Sequence, residues 1–444
     1  MTHRKVQKTG FYRHALYGIL VFSLSATVSA QESREALAAE IKALKAQLAE
    51  AETRLANYGS DSTEEDSVEN ANTAVSDDIL LPIAGGTLKV GGAIRANYAI
   101  GDYPETGAAS RAGEDDGNFA LDTFRVNLDY SNDDLIGKLE YRWYNGYNFL
   151  HTGWLGYNFS ESSQLQVGVN RVPFGPGPYG VSQSWFFDQH YYLGLADDMD
   201  LGVKYSSQTG NLSYDIAYYY SDEGTYTGGS KDSARYSYDV VNESGSGYEE
   251  RNQFNVRAIQ HIDGDVSTDL GISLQYGELK SRGPQSDGDH AAYSLHMVNK
   301  WQGYTLASQL TYFNFDVDSA QSLSTDNLVQ MGAYDFPNTV AAEGWIPAIS
   351  LSYYHETSGI LWLDYVIPYL EYSSIVKRET SFNDSEMVSL GAAWGHGGWF
   401  IYTDLTASNG NEFIGGDAPY GDRLGANAAE EWMTRFNINF GYYF

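Results

Sequence analysis

From residue 86 to the end of the chain, apolar and polar residues alternate with a period of two, segment after segment. Leu88, Val90, Ile94, Ala96, Tyr98 and Ile100 share one side, with Lys89, Arg95 and Asn97 on the other. Phe124, Val126, Leu128 and Tyr130 alternate with Arg125, Asn127 and Asp129; Leu139, Tyr141 and Trp143 alternate with Lys138, Glu140 and Arg142. The closing run is the most regular: Trp432, Thr434, Phe436, Ile438, Phe440, Tyr442 and Phe444 against Arg435, Asn437 and Asn439. A period of two is that of a β-strand with unlike faces. A soluble sandwich alternates as well. Its outer face, however, needs more charge than these strands carry, and its apolar face is not tipped with Tyr and Trp. The pattern is that of strands with lipid on one side and water on the other, the wall of a transmembrane β-barrel.

Connection lengths set the strand number. Short turns fall at 131–134, 160–163, 207–210, 262–265, 300–303, 357–359 and 395–398. Longer stretches lie near 102–118, 145–150, 172–198, 222–250, 278–289, 316–344, 374–385 and 408–430. Alternating short and long connections in this number separate sixteen strands. Residues 328–334 also read as a strand, but a seventeenth breaks the alternation, so they belong inside the sixth loop. The expected fold is therefore all-β, a 16-stranded antiparallel barrel over 79–444 with a water-filled lumen. Both of its ends face the periplasm.

What precedes the barrel reads differently. Arg4, Lys5, Lys8 and Arg13 lead into an apolar stretch that closes on Val28-Ser29-Ala30, which predicts a signal peptide over 1–30. After it, no run of 18 apolar residues forms a membrane helix. Residues 31–58 predict a short coiled-coil helix with a seam of Leu37, Ile41, Leu44, Leu48 and Leu55, joined by Ala51. The alternative is a single amphipathic helix lying on another surface. Residues 59–78 hold seven acids and no base, the signature of an extended linker.

Charge narrows the function. Asp and Glu number 58 against 27 Lys and Arg, a net −31, which excludes a nucleic-acid binder. The chain has no cysteine, so disulfide frameworks and thiolate metal sites are excluded too. Gly175-x-Gly177-x-x-Gly180 matches a phosphate loop only in form, because Pro176 and Pro178 remove backbone donors. Gly395-His396-Gly397-Gly398 has no partner nucleophile elbow, and Asp287-Gly288-Asp289-His290 lacks a calcium loop's terminal Glu. No catalytic residue, cofactor or metal site is read from the sequence. By parity the lumen wall carries Lys89, Arg95, Arg125, Lys138, Arg142, Lys204, Arg257 and Arg435, opposed by Asp129, Glu140, Asp215 and Asp269, with Asp404 ambiguous. Loops 102–118, 222–250, 316–344 and 408–430 hold 21 acids and 4 bases, so negative charge gathers at the mouth. Basic rings favour anions in a pore; the alternative is that the wall bases merely pair with acids across strands. The long third connection, with Arg171, Phe174, Trp185, His190 and Asp197, is aromatic and proline-stiffened, which suits folding inward as a constriction. The alternative is an outer loop packed on its neighbours.

Together with the signal peptide and terminal Phe444, the segment Leu165-Gln166-Val167-Gly168-Val169-Asn170-Arg171-Val172-Pro173-Phe174-Gly175 resembles trimeric outer-membrane porins. With Leu195-Ala196 and Asp200-Leu201-Gly202-Val203-Lys204-Tyr205 following, it is most similar to the phosphate-selective porin (O and P) family. The coil resembles the periplasmic coiled coils of related trimeric channels. The resemblance implies a homotrimer whose third loop forms the constriction, with Arg171, Arg95, Arg125 and Arg142 tracking the permeating anion. It also implies that Phe440, Tyr442 and Phe444 form the assembly signal of the last strand. This chain departs from that family in being lysine-poor and strongly acidic. The expected protein is a passive channel for small hydrophilic solutes with weak anion preference. It is not an enzyme and takes no cofactor; its partners are outer-membrane lipid, lipopolysaccharide and solute. Two alternatives belong to other classes: an outer-membrane hydrolase on a barrel, and a structural barrel tethering the membrane to the cell wall.

Overall fold

The computed structural model describes residues 79–102, 117–243, 245, 247–318, 323, 325–415 and 421–444. The signal peptide, the coiled-coil seam at Leu37, Ile41, Leu44, Leu48 and Leu55, and the acidic linker lie outside the described residues. Sixteen antiparallel strands run in chain order: β1 (Gly86–Gly101), β2 (Asn118–Asn132), β3 (Leu135–Trp143), β4 (Asn148–Ser160), β5 (Ser163–Arg171), β6 (Met199–Thr209), β7 (Leu212–Asp222) and β8 (Tyr248–Ile262). They continue as β9 (Ser267–Ser281), β10 (Gly288–Trp301), β11 (Tyr304–Asp316), β12 (Glu343–Tyr353), β13 (Tyr365–Lys377), β14 (Ser385–His396), β15 (Trp399–Ser408) and β16 (Met433–Tyr443). Each strand pairs with its sequence neighbour, and β1 pairs with both β2 and β16, so the sheet closes on itself.

Closure is finished at the chain end. Phe444 N donates to Gly92 O (3.0 Å) and Gly92 N donates to Phe444 O (2.8 Å). A side chain at Gly92 would meet both the Arg125 carbonyl and the Phe444 ring, which is why the position takes glycine. Below this point Ile79–Ile83 pairs with β1 from Gly86 to Val90, in the row that β16 has vacated.

The outer face is apolar. On β9, Leu270, Ile272, Leu274 and Tyr276 are exposed, while Ser273 and Gln275 between them are buried. On β16, Phe436, Phe440, Tyr442 and Phe444 point outward; Asn437 and Asn439 point in. Such a continuous apolar wall on a monomer requires lipid or another subunit against it.

The alternation of connections is as expected, with differences in detail. The turn between β12 and β13 spans 354–364 and carries a two-residue strand, His355–Glu356. Gln302 and Gly303 both take positive φ (47° and 85°), which the tight hairpin from β10 to β11 requires. Residues Leu328–Ala333 are a strand, but not of the barrel: with Phe336–Ala341 and Asp239–Val240 they form a small sheet of their own. That sheet packs Val240, Val329, Met331 and Val340 against Phe174, Phe186, Tyr191, Tyr192 and Leu193 of the third loop. The largest apolar core thus sits inside the barrel, toward the long-loop rim.

Candidate functional site: a lumen constriction

The third loop, 172–198, lies within the lumen. Gly175 N donates to Ser273 Oγ on β9 (3.0 Å), and His190 Nε2 lies 2.8 Å from Thr311 Oγ1 on β11. Ser182 Oγ donates to Glu371 Oε2 on β13 (2.7 Å), and Gln189 N donates to Ser373 Oγ (3.1 Å). The Trp185 ring packs on Tyr402 of β15. A loop leaving β5 reaches β9 through β15 only by crossing the interior. Asp188 braces it: one oxygen accepts from Val181 N (2.9 Å), the other from His190 N (2.8 Å) while facing His190 Nδ1 (2.8 Å). Asp188, His190 and Thr311 are buried, His190 and Thr311 completely, so this acid–histidine–hydroxyl line anchors the loop and presents no nucleophile to a solute.

Opposite the loop stands an arginine ladder on β1 to β3. Arg125 and Arg142 are directly cross-strand, an unfavourable pairing of like charges unless an acid separates them. Glu140 supplies that acid. It lies 3.4 Å from Arg125 Nη1, hydrogen-bonds Arg142 Nε, and accepts from Asn127 Nδ2 (2.8 Å). His151 Nδ1 is 3.6 Å from the same carboxylate. Arg95 Nε lies 3.0 Å from Asp122 Oδ2, an ion pair without hydrogen-bond alignment. Arg171 donates to Asp197 Oδ1 at 2.9 Å, which ties the end of β5 to the end of the loop.

Aromatic rings set the guanidinium planes. Arg95 stacks over Trp185 (4.6 Å), Arg142 over Tyr236 (4.6 Å), Arg125 over Tyr443 (5.1 Å) and Arg171 over Tyr179 (5.8 Å). A ring covers the face of a guanidinium and leaves its edge donors for other partners. Tyr236 belongs to the fourth loop and hydrogen-bonds Asp197; burial and that carboxylate hold its phenol well above the ordinary tyrosine range. The space left between ladder and loop is a cavity of about 90 Å³ lined by both. Its charged lining is Arg95, Arg125, Lys138, Arg142 and Arg171 against Glu140 and Asp197.

The remaining residues expected on the wall lie elsewhere. Lys204 Nζ donates to Arg171 O (2.9 Å), and Arg257 Nε donates to Asp215 Oδ2 (2.8 Å). Arg435 donates to Phe413 O (2.6 Å) and stacks on Phe186. Lys89 sits across the ladder from Asp129, itself opposite Lys138. Of the loop residues, Phe174 is in the apolar core, while Trp185 and Asp197 line the cavity. Asp404, ambiguous by parity, is fully buried and accepts from Tyr369 Oη (2.6 Å). Sequence reading missed Asp122, because a bulge between Arg95 and Ala96 shifts the pairing there. The signal exists: exposed apolar residues change from odd (Phe119, Leu121) to even (Phe124) across it. It missed His151 as well, which a bulge in the β3–β4 pairing sets beside Glu140, and Asp188, whose partners come from the packing of its own loop.

The fold is thus a closed sixteen-strand barrel with an inward third loop and a charged lumen. Solved structures share it. The outer-membrane channel DcaP of Acinetobacter baumannii matches at 13% identity with a TM-score of 0.53, covering 82% of this chain and 98% of that one. OmpT of Vibrio cholerae matches at 13% identity with a TM-score of 0.51, covering 82% of this chain and all of the other. OmpF of Salmonella typhi matches at 12% identity with a TM-score of 0.50, again over 82% and the full length. At these identities the likeness is one of fold. No family model and no curated protein matches the sequence.

Proposed function

We propose that this protein is a passive channel of the bacterial outer membrane that passes small hydrophilic solutes and prefers anions weakly. The observation that carries the proposal is the constriction: an inward third loop facing five basic side chains, with two acids, across a narrow gap. Preorganised cationic donors lower the cost of dehydrating an anion at the narrowest point, and repel cations there. The preference is weak because Glu140 and Asp197 neutralise part of the ladder. Short turns then face the periplasm and long loops the outside, with the coil of 31–58 in the periplasm. The proposed assembly is a homotrimer, held by apolar barrel walls and assisted by the coil.

The Asp188–His190–Thr311 line is sealed from the lumen, which supports no hydrolytic role for it. The test is the reversal potential of the purified channel across a KCl gradient in planar bilayers. Wild type should lie on the chloride side, and Arg95→Ala with Arg125→Ala should move it toward potassium. An unmoved potential in the double variant would mean these arginines are structural only, and the proposal would fail.

A further inference from the structure

Just beyond the constriction, three carboxylates from separate segments converge in a buried place. Asp198 ends the third loop, Asp200 begins β6, and Asp239 comes from the fourth loop. Each offers an oxygen within 4.8 Å of the other two. None is more than 4% exposed. Buried anions this close repel strongly and must be compensated by shared protons or by a cation. The base that reaches them is Arg235, whose Nη1 lies 2.8 Å from Asp239 Oδ2. That same guanidinium also serves Asp222 (3.3 Å), Glu223 (3.9 Å) and Asp232 (2.7 Å), so it cannot neutralise the group.

The hydrogen bonding points to a ligand as well. Oδ1 of Asp198 and Oδ1 of Asp200 are buried without a hydrogen-bond partner. The carboxamide of Gln253, 2% exposed, donates to Asp200 Oδ2 (3.1 Å), and its own carbonyl oxygen is likewise without a partner. Buried polar atoms are almost always satisfied, and here buried oxygens of Asp198, Asp200 and Gln253 are not. We propose that Asp198, Asp200 and Asp239 bind one divalent cation of the calcium class. Oxygens up to 4.8 Å apart are spanned by an ion with metal–oxygen distances of about 2.4 Å, as calcium has. Magnesium prefers shorter distances and keeps several waters, which suits a buried all-protein site less well.

The ion's position gives it a task. Asp198 O accepts from Val172 N (2.8 Å), closing the base of the third loop, and its neighbour Asp197 holds Arg171. Asp239 lies opposite Gly332 in the small sheet of the sixth loop. A cation here fastens the third, fourth and sixth loops together at the edge of the constriction.

The experiment is calorimetric titration of calcium into the full chain, purified in detergent and stripped with chelator. Wild type should take up one tight calcium per chain, and magnesium should compete at least tenfold less well. Asp198→Asn with Asp239→Asn should weaken that uptake at least tenfold, whereas Asp263→Asn with Asp265→Asn, in an exposed turn, should not. Calcium should raise the temperature of heat modification of wild type and leave that of the Asp198/Asp239 variant unchanged. Should the double variant fold poorly, Asp200→Asn alone carries the same expectation. Absence of tight calcium uptake by wild type, or its retention in the variants, overturns the proposal and assigns the compensation to shared protons.

Discussion

Glu140→Gln isolates the electrostatics of the constriction from its shape. The glutamine keeps an acceptor for Asn127 and nearly the same volume, while one of the two lining acids loses its charge. Arg125 and Arg142 both lose the charge of the acid they share. An anion held by either guanidinium sits about 5 Å from the former carboxylate. At that distance one unit charge is worth about 0.8 kcal/mol under bulk-water screening and about 3 kcal/mol at an effective dielectric near 20. The smaller figure already corresponds to roughly a fourfold gain in anion permeability, before the matching loss for the cation. Reversal potentials should be read near 0.1 M salt, where the Debye length is about 10 Å and a charge 5 Å away is still felt. The expected result is a displacement toward the chloride potential, shrinking at 1 M. Only folded barrels conduct, so destabilisation lowers the number of insertions and not the potential. A potential that stays put, or moves toward potassium, would refute the assignment of this ladder as the selectivity element.

Deleting Phe444 removes two backbone bonds to Gly92 and an outward aromatic, a loss of about 1–3 kcal/mol at the barrel seam, and should lower the yield of heat-modifiable protein in outer membranes. Ile41→Asp with Leu48→Asp should loosen the expected coil without dissolving a barrel trimer; native gels in mild detergent would show trimers retained, and a monomeric wild type would contradict the assembly. His190→Ala costs the loop its bonds to Asp188 and Thr311, about 2 kcal/mol, and should make single-channel current larger and noisier. Quiet, unchanged current would show the anchor to be dispensable. In the eighth loop, burial pushes the Glu412 carboxyl up to about 7, above its unfolded value, so the folded chain is penalised progressively as pH rises from about 4.5 through 7. Glu412→Gln should therefore stabilise by about 3 kcal/mol at pH 8 and by nothing at pH 4, read as unfolding midpoints in denaturant.

Strand number and closure were legible because both rest on local rules. A lipid-facing wall imposes alternation residue by residue, and turn length distinguishes the two rims without knowledge of what lies inside. The reading of 328–334 shows the limit of this logic. Parity counting could exclude it from the barrel, but its actual partners, Asp239–Val240 and Phe336–Ala341, follow from loops meeting in space. The β2 bulge is the opposite case: its parity change was present in Phe119, Leu121 and Phe124, and attending to it would have brought Asp122 to Arg95.

The site itself was legible as composition more than as geometry. Parity put Arg95, Arg125 and Arg142 on the lumen side, yet parity also counts Arg257, Lys204 and Arg435, which meet Asp215, a carbonyl of Arg171 and a carbonyl of Phe413. What separates the two groups is height along the barrel and the path of the third loop, and neither is a local property. Pairing is equally non-local. That one Glu140 serves two arginines depends on strand register, which places Arg125 against Arg142 and Asn127 against Glu140. The acids follow the same division. Asp239 was counted with the acids at the mouth, but it belongs to an interior cluster with Asp198 and Asp200, created only when the third and fourth loops fold inward. In a barrel, then, sequence specifies the wall directly, while the chemistry of the lumen depends on loops that meet the wall and one another through long-range contacts.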